Sequence, residues 1–480
     1  MLFNSIEFLV FLPIVFILYW FVFKPLRFQN LLVLIVSYIF YGWWNWRFLL
    51  LIALTSLCSF ASGIIIEKKQ GHRFFQRSIS AANIILNLCI LGVFKYFNFF
   101  RDNLEILLQS FGIQLDWPTL NVILPVGISF YTFQALSYSI DVYRGNIKAT
   151  RDIVAFFAFI SFFPQLVAGP IERATNLLPQ FLKGRTFNYE KAVDGCRQML
   201  WGFFKKMVVA DNCAVIVDQY WGMYDQQSGI QLLVVGVLFT FQIYCDFSGY
   251  SDIAIGSARL FGIDLMRNFN FPYFSRSIPE FWRRWHISLT TWFRDYIYFP
   301  LGGSRCAKWK VIRNTIIVFF VSGLWHGANW TFICWGLYLA ILFMPYLIFG
   351  IKTKYRSEVA EGRWFPNAKE FFQIFSTFFL SVIGWIIFRA ESMPQAIAYI
   401  GQIFSTSLFK TGLIDGKSEL LLCLILYIAE WLQRDKQHAL QLEGIPFMRF
   451  RAVRLVTYYA ILIAIITLAG ESEAFIYFQF

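Results

Sequence analysis

Apolar residues run along this chain in blocks of 16 to 20 positions, divided by short polar connectors. Blocks of that length match the hydrocarbon core of a bilayer, which takes roughly 20 residues of helix to cross. Inside the core every backbone polar group must find a partner within the segment, and a helix provides this. The pattern predicts spans near 6–23, 30–46, 48–66, 79–99, 121–143, 230–248, 371–388, 419–433 and 455–470. More broken apolar material lies near 153–168, 199–221 and 314–350. The last of these is 37 residues long, about 55 Å as helix, against a core of about 30 Å. Two short spans, or one span and a re-entrant piece, would fit it. FFPQLVAGPIER (Phe162–Arg173) has the same interrupted character, and such backbone is tolerated at membrane depth only where protein buries it or it lines a wet cavity. The middle of the chain therefore reads as a funnel or tunnel. No internal repeat is visible, so 1–480 reads as a single all-α polytopic membrane domain.

Composition strengthens this picture. Of 480 residues, 58% are hydrophobic, 20% aromatic and 15% charged, with 57 Phe. A soluble domain carries about 25% charged residues. The net charge of +13 calls for no nucleic acid, because basic loops that stay on the cytoplasmic side account for it. Lys24 and Arg27, the segment Glu67–Arg77 and the segment Arg144–Arg151 are such loops. The stretch from Asn103 to Asp116 is acidic and falls on the other side. Alternation then puts both the N-terminus and the C-terminus outside. The first apolar block lacks a basic leader and a small-residue cleavage site, so it reads as a span and not a signal peptide. The eight cysteines form no C-x-x-C pair, which leaves no disulfide framework and no zinc site.

Chemistry concentrates in three segments between Gln242 and Trp335: YCDFSGYSDIAIG (Tyr244–Gly256), FWRRWHISLTTWFRDYIYFPLGG (Phe281–Gly303) and GLWHGANW (Gly323–Trp330). Ionisable residues at membrane depth are costly and mark function by default. Asp246 and Asp252 either hold helices together or act on substrate. Arg283, Arg284 and Arg294 either anchor the segment at the headgroups or face an anionic substrate, and Asp295 either pairs with a neighbouring arginine or takes part in substrate binding. His326 stands between Gly323 and Gly327, which permit close approach, and Trp325 and Trp330 are placed to wall a pocket. Imidazole is the side chain best suited to proton transfer near neutral pH. His286 is its natural partner, while His72 and His438 fall in basic loops. No G-x-S-x-G, H-E-x-x-H, Walker A or G-x-G-x-x-G motif is present, which removes support for hydrolase, zinc-protease, nucleotide-driven and dinucleotide readings.

The same three segments resemble the membrane-bound O-acyltransferases, and in particular the bacterial branch with alginate and peptidoglycan O-acetyltransferases and D-alanyl transferases. The opening MLFNSIEFLVFLPIVFILYW, FFPQLVAGPIER and the closing FIYFQF share the likeness, which covers nearly the whole chain with a motif core at about 121–345. The resemblance implies about 11 transmembrane helices with re-entrant or interfacial helices around a central tunnel. It maps the family's two characteristic histidines onto His286 and His326. It implies acetyl transfer from cytoplasmic acetyl-CoA, with no tightly bound cofactor and no metal, across a bacterial inner membrane to an extracytoplasmic polysaccharide. The chain ends soon after its last span, so a separate SGNH-type acetyltransferase is the implied partner. The tail ESEAFIYFQF is too apolar to stay free in water, and Tyr477 within it is either a belt anchor or an acyl relay. D-alanyl, lipid or protein acyl transfer and, in a different class, a transporter remain the alternatives.

Overall fold

The computed structural model describes all residues except 115–118, 120–122, 168, 352–354, 356–357, 411–413, 443–444, 472, 474 and 477–480. Its described residues form helices and no strand. In chain order they are α1 (Ile6–Ile17), α2 (Leu26–Asn45), α3 (Leu49–Lys68), α4 (Arg73–Leu91), α5 (Phe97–Gln109), α6 (Ile128–Arg144), α7 (Ile153–Ser161), α8 (Phe163–Leu166) and α9 (Ala174–Leu182). There follow α10 (Tyr189–Phe203), α11 (Asp211–Trp221), α12 (Gly229–Leu260), α13 (Ile278–Arg284), α14 (Ile287–Phe293), α15 (Lys308–His326) and α16 (Trp330–Ile348). The last are α17 (Ala368–Arg389), α18 (Met393–Ile403), α19 (Lys417–Leu432) and α20 (Arg451–Leu468).

Among the described residues, six helical runs are long and apolar enough to cross a membrane: Leu26–Lys68, Arg73–Gln109, Gly229–Leu260, Trp330–Ile348, Ala368–Arg389 and Arg451–Leu468. The first is 43 residues long and contains both α2 and α3. Ile6–Val22 and Ile153–Leu166 are shorter apolar pieces. The chain is a multi-pass membrane protein. Large apolar side chains stand exposed along the outer faces of several helices, such as Leu9, Val10 and Ile14 on α1 and Val456, Ile463 and Ile466 on α20. Water does not tolerate such bands, but lipid is their natural solvent.

The chain divides into two compact units, one of Met1–Lys191 with Ser257–Leu265 and the other of Ala192–Gly256 with Met266–Phe480. In the first unit the apolar run near 153–168 breaks at Phe162, whose backbone leaves the helical region and separates α7 from α8. Polar groups freed by the break are taken up locally. The Phe163 N–H donates to Ser37 at 3.0 Å, and Gln165 and Gln134 bond each other, the shorter bond 2.8 Å. The second unit contains all three chemistry-bearing segments. Its ambiguous apolar stretch at 314–350 is a hairpin of two helices, α15 and α16, broken at Gly327–Asn329. The stretch near 199–221 is helical throughout, with a π-helical segment Phe204–Ala210 between α10 and α11.

Candidate active site

His326 is the last residue of α15. The helix stops there because Gly327 is extended (φ −169°, ψ 159°), and Asn329 starts α16 by accepting the Thr331 N–H. The glycines around His326 serve backbone packing. A Cβ on Gly323 would run into the Phe332 carbonyl, and one on Gly327 into the Phe332 ring. Close approach of α15 and α16 at small residues is the usual way membrane helices gain contact. The result buries His326 to 3% exposure inside a cage of rings. Trp325 lies 4.9 Å away between centroids, Trp335 5.1 Å and Phe388 5.3 Å, all edge-on. Trp330, expected to wall this pocket, is 53% exposed. It opens α16 beside the hairpin turn, one helical turn and a half before Trp335, which takes the place against His326.

His286 is held differently. It joins α13 to α14 in the left-handed region (φ 41°, ψ 54°), a conformation that costs a non-glycine residue about 1–3 kcal/mol. The segment Asn268–Asn270 runs beside it and ties it down. The Ile287 N–H donates to the Asn268 carbonyl and the Asn270 N–H to the Arg284 carbonyl, both at 2.8 Å. The Asn268 side chain lies 3.0 Å from His286 Nδ1, accepts from Ser288 Oγ at 2.8 Å and donates to Ser251 Oγ at 3.0 Å. Phe247 meets the imidazole edge-on at 4.7 Å. The ring is buried, and burial pushes its pKa down to about 3, so it is neutral at physiological pH. Trp325 stands 6.0 Å from His286 and 4.9 Å from His326. Two buried imidazoles thus lie close to one indole.

The charged residues of the second motif divide by exposure. Arg284 is buried, pairs with Glu280 and Glu358 at 3.1 Å each, and donates to the Asn270 carbonyl. Arg276 also holds Glu280, at 2.9 Å. Burial alone would raise the Glu280 carboxyl, but the Arg276 hydrogen bonds and the Arg284 charge hold it below the usual range. Arg283 is exposed. Arg294 is half exposed and pairs with Asp295 at 2.9 Å.

Asp246 and Asp252 of α12 meet two residues that sequence reasoning passed over. Lys205 and Lys206, adjacent in the π-helical segment, are buried side by side. Lys205 pairs with Asp252 at 2.6 Å, and Lys206 with Asp211 at 2.7 Å and Asp246 at 2.8 Å. Lysines within an apolar run were the available signal. Close approach of the backbones lets them reach, since a Cβ on Gly202 would lie 2.7 Å from the Gly249 carbonyl. Deeper still, Tyr244 donates to Glu430 at 2.9 Å. The other oxygen of Asp246 accepts the Ile476 N–H at 2.7 Å, and Lys206 donates to the Glu473 carbonyl at 3.0 Å. The described part of the tail is thus drawn into the core. Phe475 is fully buried, 4.4 Å from Tyr250 and 5.8 Å from Phe247. Tyr477 lies outside the described residues. His438, expected in an open loop, is 1% exposed with Nε2 3.1 Å from Asp194; a partner 244 residues away gives no local signal.

The model of the membrane-bound O-acyltransferase family matches residues 38–379, well over half of the chain. The chain belongs to that family. It is 42% identical over 407 residues to a probable alginate O-acetylase, AlgI, of Azotobacter vinelandii, covering 84% of this chain and 78% of the relative. It is 30% identical to a peptidoglycan O-acetyltransferase of Helicobacter pylori, covering 100% of this chain and 98% of the relative. A teichoic acid D-alanyltransferase of Bacillus subtilis is 30% identical over 57% of this chain and 71% of the relative. All are acyl-transferring proteins, and this chain is an acyltransferase of the same kind.

Proposed function

We propose that this membrane O-acyltransferase moves acetyl from acetyl-CoA, used on the cytoplasmic face of a bacterial inner membrane, to an extracytoplasmic polysaccharide. The observation that carries the reading is the pair of buried imidazoles, His286 and His326, each within 6.0 Å of the Trp325 ring, in a chain similar over most of its length to O-acetylating relatives. His326 acts as general base. It takes the proton of the accepting hydroxyl as that oxygen attacks the thioester carbonyl; the C–S bond then breaks and the thiolate leaves with a proton. Such a base contributes about 10²–10⁴-fold. His286 orients the reacting groups. Arg283 and Arg294, the exposed arginines of the motif, offer charge to the CoA phosphates, while Arg284 and Asp295 hold the motif's shape. Both ends of the chain face outward in this reading, and Tyr477 relays the acetyl group to an SGNH-type acetyltransferase that places it on the polymer.

The test is polysaccharide acetylation in cells that depend on this chain. His326→Ala is expected to abolish it while the protein still accumulates in the membrane; normal acetylation would end the assignment. Tyr477→Phe keeps the ring and removes only the nucleophilic oxygen. It is expected to stop delivery to the polymer, and an unchanged rate would make the tail a simple anchor.

A further inference from the structure

His286 has a feature that the acyltransferase reading does not require. Its Nδ1 lies 3.0 Å from the Asn268 side-chain oxygen. That oxygen has no hydrogen to give, so the hydrogen between them belongs to the ring. In this arrangement the Asn268 oxygen also accepts the Ser288 hydroxyl, which lies 3.3 Å from His286 Nδ1, and its nitrogen donates to Ser251; turning the amide would require both hydroxyls to reverse their roles. All four side chains are buried: Asn268 to 1%, His286 to 1%, Ser288 to 0% and Ser251 to 2% exposure. Water therefore does not compete for these bonds. The Asn268 backbone takes part as well, since its carbonyl receives the Ile287 N–H at 2.8 Å and secures the left-handed bend at His286. On the other side of the ring, buried Nε2 has no hydrogen-bond partner among the described residues. A neutral imidazole with a hydrogen on Nδ1 carries a lone pair on Nε2, and the partner of one ring nitrogen decides the state of the other.

We infer that Asn268 is a positioning residue that locks His286 as its Nδ1–H tautomer, so that His286 offers the reaction a hydrogen-bond acceptor. The group received at Nε2 is then a hydroxyl or thiol hydrogen, and not a carbonyl oxygen or oxyanion. This assigns His286 to the hydrogen-bearing reactant and leaves stabilisation of negative charge to other donors. The lock itself depends only on the geometry, while its effect on turnover rests on the acetyl-transfer reading.

The experiment uses the full chain with ¹⁵N-labelled histidine in detergent or nanodiscs. The chain has only four histidines, and His286→Gln identifies the His286 signals. The wild type is expected to show His286 with protonated Nδ1 and bare Nε2. Asn268→Asp retains the acceptor oxygen and is expected to keep this tautomer, whereas Asn268→Ala is expected to populate the Nε2–H form. Turnover of acetyl-CoA by Asn268→Ala is expected to fall about 10²-fold in kcat with little change in KM, with partial recovery in Asn268→Asp. If Asn268→Ala does not fold, the wild-type and Asn268→Asp spectra still decide the matter. A wild-type His286 protonated at Nε2 overturns the inference. So does an Asn268→Ala protein with unchanged tautomer and kcat. If the wild type shows the expected tautomer but cleaves no thioester, the lock stands and the acetyl-transfer reading falls.

Discussion

The two histidines of the site share an indole but not a way of being held. His286 is fixed by directional bonds to Asn268, on a backbone bent into the left-handed region. His326 is caged by the rings of Trp325, Trp335 and Phe388 at the end of a helix hairpin. Hydrogen bonds choose a tautomer as well as a position.

Breaking the supports of each half should therefore have separate consequences. The largest effect is expected on the His286 side. Lys206→Met removes the cation between Asp246 and Asp211 and leaves buried carboxylates uncompensated, which costs about 3–5 kcal/mol. It also frees the tail, whose Phe475 rests on Phe247 and through it on His286. Thermal unfolding and protease release of a C-terminal tag measure both consequences. A stable protein with a protected tail would show that the buried charges do not hold the tail.

A smaller effect is expected on the His326 side. Gly327→Ala forces the new methyl against the Phe332 ring, and overpacking of this kind costs about 1–3 kcal/mol. The cage then shifts while the His286 tautomer signal stays where it was. Movement of both histidine signals together would mean that the halves are one unit. Trp330→Phe sits at the bottom of the scale. With the residue 53% exposed, stability should change by no more than about 0.5 kcal/mol, and a large loss would return Trp330 to the pocket wall.

These contrasts also show what the sequence could and could not reveal. The membrane character was legible because lipid demands long apolar blocks, and that 314–350 is more than one crossing was legible from its 37 residues, while whether it would be two short spans or one span and a re-entrant piece was not. His326 stood out as a rare titratable residue in apolar surroundings, and His286, in an arginine-rich segment, as its natural partner. The glycines beside His326 were noticed, but their partner, Phe332 on the return helix, depends on how the two helices meet. Trp335 replaced Trp330 in the cage for the same reason. Asn268 gave no signal, since an asparagine in a loop is ordinary until its neighbours are known. The tail's anchor joins Asp246 to Ile476, 230 residues apart, and no local pattern encodes such a pairing.

The central claim is that the site around Trp325 cleaves an acyl thioester with His326 as its base. The most direct measurement is release of free CoA from acetyl-CoA by purified protein reconstituted in liposomes, wild type against His326→Ala. The account predicts turnover by the wild type and a loss of about 10²–10⁴-fold in the variant, with its unfolding temperature retained. Equal CoA release by both proteins would contradict it.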